Sequence, residues 1–141
     1  MRSRTEAPAA SRSGPPNAST LTPGRRRFSA VTTAAAELQT AGEAAGLDAQ
    51  DVFWMLARLA PLLEPRRGGF VDGRHQPTLF ALRDLHKDLD LALDVFRRSA
   101  ADVPLTTLVR GLVDEAMPTG ADLDITAVTA RYRRADATVG A

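Results

Sequence analysis

The chain has 141 residues, a hydrophobic fraction of 44% and a charged fraction of 25%, which are ordinary values for a single globular domain. The formal net charge is +1 and no apolar run approaches 18 residues, so composition predicts no nucleic-acid partner and no membrane partner. Cysteine is absent, which excludes disulfides, thiolate catalysis and cysteine-ligated metal sites.

Residues 1–27 are predicted to form a disordered basic tail. They contain four prolines, several Ser and Thr, six arginines and almost no large apolar side chain. Such a segment cannot bury enough surface to offset an ordering entropy of about 1–2 kcal/mol per residue. We interpret it as a bacterial tail or a misassigned start rather than an organellar transit peptide, because it lacks a helical apolar stripe.

Residues 28–141 predict an all-α helical bundle. The first helix is expected from Ser29 or Ala30 to Ala45, with Gly46 as its left-handed stop. Its many alanines favour the helix and permit close packing against a neighbour. Asp48 is expected to cap a second helix. The predicted apolar side chains of that helix are Val52, Phe53, Met55, Leu56, Leu59, Leu62 and Leu63, with Trp54 packed in the core.

The second half of the chain predicts further helices after a Gly-, Arg- and Pro-rich loop over residues 64–77. A helix ending near Arg98 has the clearest amphipathic period, and another covers Leu105 to Met117, stopped by Pro118 and Gly120. Asp122 or Asp124 is expected to cap a last short helix. The apolar positions of the amphipathic helix are Leu82, Leu85, Leu89, Ala92, Leu93 and Phe96, and those of the last helix are Ile125, Val128 and Tyr132.

Motifs of a self-contained active site are missing from the sequence. There is no G-x-G-x-x-G turn, no P-loop and no H-E-x-x-H helix. His75 and His86 have no spacing that indicates a metal site. We therefore assign no catalytic residue and no metal ligand.

One segment combines Lys87, the only lysine, with Asp84, Asp88, Asp90 and Asp94. One interpretation is a solvated helix face on which Asp84 and Asp90 flank Lys87 at three-residue spacing, each pair contributing about 0.2–0.5 kcal/mol. The other interpretation is a binding site, and it depends on a resemblance to a known family.

The stretch Phe80-x6-Lys87-Asp88-Leu89-x-Leu91-Ala92-Leu93 resembles the F-x6-K-D-L-x-L-A-L segment of the β-hydroxyacid dehydrogenases, which include 3-hydroxyisobutyrate dehydrogenases. Three other blocks are similar to that family in order and spacing, so that the resemblance covers about Ala34 to Arg134. They are the helix and turn from Glu37 to Asp48, the Val103-Pro104-Leu105-Thr106 entry to a helix, and the closing Asp124-Ile125-Thr126-Ala127-Val128.

The resemblance implies a bundle like the C-terminal domain of 6-phosphogluconate dehydrogenase, closing over the nicotinamide end of NAD or NADP that a Rossmann domain holds. It implies that Phe80, Lys87 and Asp88 line the cofactor-binding cleft, with Lys87 directed at a phosphate or carboxylate group. It also implies a homodimer or a Rossmann-domain partner chain, and a cytoplasmic location.

The departures from the family pattern are equally specific. The family's catalytic lysine lies in a G-x-x-x-K-x-x-N stretch, and counting back from Gly46 places it at Thr22, with Arg25 in place of the asparagine. Three functions remain open. The first is a truncated or detached C-terminal domain of an NAD(P)-dependent oxidoreductase, inactive alone; the second is a stand-alone helical dimerisation module. The third is a residual ligand binder that uses the Phe80–Lys87 cleft for a phosphate or carboxylate, with an affinity no better than about millimolar.

Overall fold

The computed structural model describes residues 23–133, with side chains from Phe28 onward, and the remainder of the predicted tail and the last eight residues lie outside the described residues. Within this part the chain is helical, and its only β-type pairing is an isolated bridge between Ala81 and Asp124. This confirms the all-α prediction. The elements are α1 (Pro23–Ala44), α2 (Ala49–Leu59), a 3-10 helix (Pro61–Arg66), α3 (Arg67–Val71), α4 (Leu82–Arg98), α5 (Pro104–Gly120) and a second 3-10 helix (Ile125–Val128).

Helix α1 begins earlier than predicted. It starts at Pro23 rather than at Ser29 or Ala30, so five residues assigned to the tail belong to the helix. Proline is tolerated in a first helical turn because the N–H it lacks would have no intrahelical partner there. The other end agrees with the prediction: α1 ends at Ala44, and Gly46 takes a left-handed φ of +88°.

Helix α2 is capped as predicted but buries a different face. The Asp48 carboxylate accepts hydrogen bonds from the backbone N–H groups of residues 50 and 51. The prediction that Trp54 packs in the core is wrong, since it is 57% exposed with the Arg58 guanidinium over its ring, and Leu59 is 86% exposed. The reason is that α2 turns Phe53 inward onto Phe70, at 5.7 Å between ring centroids. The buried residues of α2 are Val52, Phe53 and Ala57.

The predicted loop over residues 64–77 is partly helical. Pro61 opens a 3-10 helix and α3 follows it directly. Gly69 is buried in α3, and a β-carbon on it would lie 2.2 Å from Oγ1 of Thr126. The Gly68-Gly69 pair was predicted to lie in a loop and instead lies in α3. The close approach of α3 to Thr126 requires a glycine at position 69.

Two apolar clusters form the core, and the second 3-10 helix contributes to both. Val128 belongs to the cluster under α1, α2 and α3, while Ile125 and Ala127 belong to the cluster between α4 and α5. The predicted face of α4 is confirmed, since four of its six apolar positions are buried and the other two half-buried. The fully buried ones are Leu82, Leu85, Leu89 and Ala92.

Helix α5 continues past its predicted stop at Met117, through an exposed Pro118 to Gly120. The proline lies in the last turn, where losing one intrahelical hydrogen bond does not break the helix. Across residues 23–133 no helix is both long enough and apolar enough to cross a membrane.

Candidate functional site

The segment that leads into α4 is held by one buried carboxylate. Asp124 is 3% exposed, and its Oδ2 accepts hydrogen bonds from the backbone N–H groups of Leu79 and Phe80, both at 3.1 Å. Its Oδ1 accepts from the Thr126 N–H and from Nε of Arg66, both at 3.2 Å. Four donors therefore compensate the buried charge, as a carboxylate in the protein interior requires.

Backbone hydrogen bonds fix the same segment from both sides. The N–H of Ile125 donates to the carbonyl of Phe80 at 3.0 Å, and the N–H of Leu82 donates to the carbonyl of Leu123 at 2.9 Å. The N–H of Asp124 donates to the carbonyl of His75 at 3.1 Å. Phe80 is thereby placed directly before α4, half-buried against the α4–α5 cluster.

Lys87 lies on the exposed side of α4. It is two residues from both Leu85 and Leu89, and a two-residue step of about 200° places it opposite the buried face. Lys87 forms no hydrogen bond or ion pair with another described residue. The expected solvated face is confirmed, since Asp84, Lys87 and Asp90 are all exposed, but neither carboxylate forms the expected ion pair with Lys87. Asp90 instead accepts from Nε of Arg110 at 2.8 Å, a bond that holds the pKa of this carboxyl below its ordinary value.

The three residues implied by the resemblance thus occupy one stretch of nine residues. Phe80 precedes α4, Lys87 is exposed in its second turn, and Asp88 is half-buried beside it. Adjacent residues of a helix point about 100° apart, so Lys87 and Asp88 project in different directions. Cofactor binding by these residues remains a prediction.

The two histidines contact hydroxyl and carboxylate groups of the bundle. Nδ1 of His75 lies 2.9 Å from Oγ1 of Thr126, and burial, helped by the charge of Arg133, lowers the His75 pKa. Nε2 of His86 lies 2.9 Å from Oδ1 of Asp114 on α5. No group of three or more potential metal ligands is found among residues 23–133.

An open pocket of about 270 Å³, which the sequence does not predict, lies between residues 65–69, where the first 3-10 helix meets α3, and the 74–79 segment. Asp124 was expected as a helix cap. Its second role, as the ion-pair partner of Arg66, had no local signal because the two residues are 58 positions apart in the sequence. The one signal available was the Arg66-Arg67-Gly68-Gly69 run. The walls include Pro65, Arg66, Gly68, Arg74, Pro77 and Leu79.

Comparison with known proteins agrees with this architecture. Residues 28–132, about three-quarters of the chain, match the family described as NAD-binding of NADP-dependent 3-hydroxyisobutyrate dehydrogenase. No curated protein matches the chain significantly. The matched residues include Phe80, Lys87 and the Asp124–Val128 block, whose first two residues hold the Phe80 backbone. The chain therefore belongs to the family of the helical C-terminal, NAD-binding domain of NADP-dependent 3-hydroxyisobutyrate dehydrogenase.

Proposed function

We propose that this chain supplies the helical half of the cofactor and substrate cleft of an NAD(P)-dependent, 3-hydroxyisobutyrate dehydrogenase-like oxidoreductase. The dinucleotide itself would be held by a Rossmann domain. The observation that carries this proposal is the exposed Lys87 ammonium, which no described residue compensates. We place the activity in the cytoplasm, where NAD(P)H is available.

The residues of the cleft fit such a cofactor. Lys87 is a compact positive charge on a flexible stem, suited to a phosphate or carboxylate group from another molecule. Phe80 offers an aromatic ring, and hydrogen bonds from its backbone to Asp124 and Ile125 fix the position of the residue. The nicotinamide, when bound, supplies the hydride chemistry. The chain's own residues position one wall of the cleft.

We expect the chain to be inactive alone. Its 141 residues contain no G-x-G-x-x-G turn to hold a pyrophosphate at a helix N-terminus. Lys87, the only lysine, already aligns with the family's cleft lysine, so none remains for general acid catalysis, which typically contributes about 10²–10⁴-fold in rate.

Complementation in trans tests this proposal. The purified chain would be mixed with a 3-hydroxyisobutyrate dehydrogenase fragment that retains only the Rossmann domain and the interdomain helix. The formation of NADPH would then be followed by its absorbance. Activity is expected from the mixture and from neither component. Lys87→Ala should remove it and Lys87→Arg should restore part of it.

The control for this experiment is Arg83→Ala, which deletes an exposed cation one turn earlier on α4 that is already paired with Asp122. It should leave the activity of the mixture unchanged. Activity that survives Lys87→Ala, or that Arg83→Ala reduces equally, would count against the cleft.

A stand-alone dimerisation module is the second candidate. An exposed apolar strip, formed by Leu38 on α1 and Leu59 on α2, favours it. Helices α1 and α2 cross closely, since a β-carbon on Gly42 would lie 2.8 Å from Cγ2 of Val52. Leu38 is one turn from Gly42 on α1, and Leu59 is two turns from Val52 on α2. Their exposed fractions are 56% and 86%, so two exposed leucines flank this crossing.

Sedimentation velocity over a concentration series tests this candidate. Leu59→Glu should convert a dimer into a monomer, because it places a charge in the strip that a second copy would cover. Leu91→Glu changes a leucine of α4 that is 51% exposed and serves as the matched control. A wild-type chain that stays monomeric over a 100-fold range of concentration would rule the dimer out.

A further inference from the structure

The pocket beside Asp124 contains a mostly buried guanidinium that is only partly used. The Arg66 side chain is 12% exposed, and its Nε donates to Oδ1 of Asp124. Its face stacks on the Phe28 ring, with 4.5 Å from the guanidinium carbon to the ring centroid. The Nη1 and Nη2 groups donate to no described residue. Four N–H donors of a largely desolvated cation that lines the pocket therefore have no acceptor among the described residues.

A second cation lies at the same pocket. Arg74 is 73% exposed, and its Nη2 would lie 3.7 Å from a β-carbon on Gly68, which also lines the pocket. The Nη2 group of Arg74 forms an ion pair with Oδ2 of Asp72 at 2.7 Å, which partly neutralises the charge of Arg74. Asp124 does not act as a competing acceptor, because four donors already occupy its two oxygens.

The other walls combine an apolar surface with the polar side chains of Gln76 and Thr126. Pro65, Pro77 and the half-exposed Leu79 line the pocket together with the two arginines. Its volume of about 270 Å³ is slightly below that of typical ligand sites, which are roughly 300–1,000 Å³, so it suits a small ligand. A site with a guanidinium at one wall and a short apolar surface beside it suits a small molecule with one anionic end and one hydrocarbon end.

We propose that this pocket binds a short-chain aliphatic carboxylate, whose two oxygens accept from Nη1 and Nη2 of Arg66. The planar guanidinium matches a carboxylate in a two-bond arrangement. The hydrocarbon chain would lie against Pro65, Pro77 and Leu79. The site has a different lining from the proposed oxidoreductase cleft, since Phe80, Lys87 and Asp88 do not line the pocket, and the two are connected through Asp124.

Titration followed by two-dimensional ¹H–¹⁵N NMR tests this site on the purified chain. The probes are acetate, butyrate and hexanoate, with inorganic phosphate and chloride as comparison anions at constant ionic strength. The amide signals of Gly68 and Gly69 and the Nε–H signal of Arg66 should shift saturably. Affinity should rise from acetate to hexanoate, reaching a Kd on the order of millimolar because the nearby charges are largely paired.

Two variants separate binding from folding. Arg66→Lys keeps a positive charge for Asp124 but removes the fork, and should weaken hexanoate binding about tenfold or more. Leu79→Asp changes a side chain that is 56% exposed, and should abolish binding through repulsion even if Arg66→Lys fails to fold. Arg98→Lys, at the far end of α4 and 77% exposed, is the matched control and should change nothing.

Three results would overturn the carboxylate site. The first is the absence of a saturable shift at Gly68 and Gly69. The second is a shift that chloride or phosphate reproduces as strongly as hexanoate, which would indicate a general anion contact. The third is binding that survives Leu79→Asp unchanged.

Discussion

A hydrogen bond links Phe80 to Asp124, and a second one of opposite direction links Phe80 to Ile125. Oδ2 of Asp124 accepts from the N–H of Phe80 at 3.1 Å, and the carbonyl of Phe80 accepts from the N–H of Ile125, the next residue after Asp124, at 3.0 Å. The closing block of the family pattern thus fixes the residue that opens its F-x6-K-D-L segment. The position of Phe80 relative to α4 therefore depends on a carboxylate 44 residues later in the chain.

Replacing Asp124 with Ala should lower the free energy of unfolding by about 3–5 kcal/mol, because it leaves the mostly buried Arg66 cation without its partner. Urea denaturation with linear extrapolation measures this change. Asp122→Ala is the control, since that carboxylate is 77% exposed and its pair with Arg83 should contribute only about 0–1 kcal/mol. Equal losses in the two variants would contradict the structural role of Asp124.

Gly69→Ala should destabilise the fold by at least about 1–3 kcal/mol through overpacking, because the new β-carbon would lie 2.5 Å from Cβ of Thr126. The matched change is Gly111→Ala in α5, where nothing lies within 4 Å of the added atom. That variant should gain about 0.5–1 kcal/mol from helix propensity. Thermal unfolding of both variants gives the two signs, and a neutral Gly69→Ala would argue against the close crossing of α3 and Thr126.

Leu89→Ala should lower the free energy of unfolding by about 2–5 kcal/mol, because Leu89 is 2% exposed in the α4–α5 cluster. Leu91→Ala, two residues away and half-exposed, should change stability by no more than about 0.5 kcal/mol. Urea midpoints compare the two. Similar losses would mean that α4 is rotated from the orientation described.

Protonation of His75 should destabilise the fold. Burial, then the charge of Arg133, lowers its pKa below the ordinary 6.5, while Asp124 acts in the opposite direction. Below pH 6.5 the unfolded chain binds the proton more readily than the folded chain, so His75's contribution to stability falls as the pH falls from 6.5 through the folded pKa. Urea midpoints between pH 7.5 and pH 5 should therefore fall less steeply in His75→Gln than in wild type. Parallel slopes would show that His75 does not carry this dependence.

Local sequence signals predicted the parts of the fold that depend on neighbours in the chain. The period of α4 predicted its buried face, and Asp48 and Gly46 predicted the ends of helices. Helix caps and amphipathic faces involve residues a few positions apart, so their pattern is readable without the fold. The family resemblance rests on the same kind of short blocks, and the match over residues 28–132 agrees with it.

Exposure and long-range pairing were decided only by tertiary packing. Trp54 is apolar and lies in a helix, yet Phe53 faces the core instead, because Phe70 lies on that side. The Arg66–Asp124 ion pair joins residues 58 apart, and no local pattern selects one arginine among seventeen for that role. By itself the sequence determined α1, α2, α4 and α5, the ends marked by Gly46 and Asp48, and the family. The packing of α3 and the 75–80 segment against Asp124 and Thr126 determined the pocket and the placement of Phe80, because both depend on contacts between residues far apart in the chain.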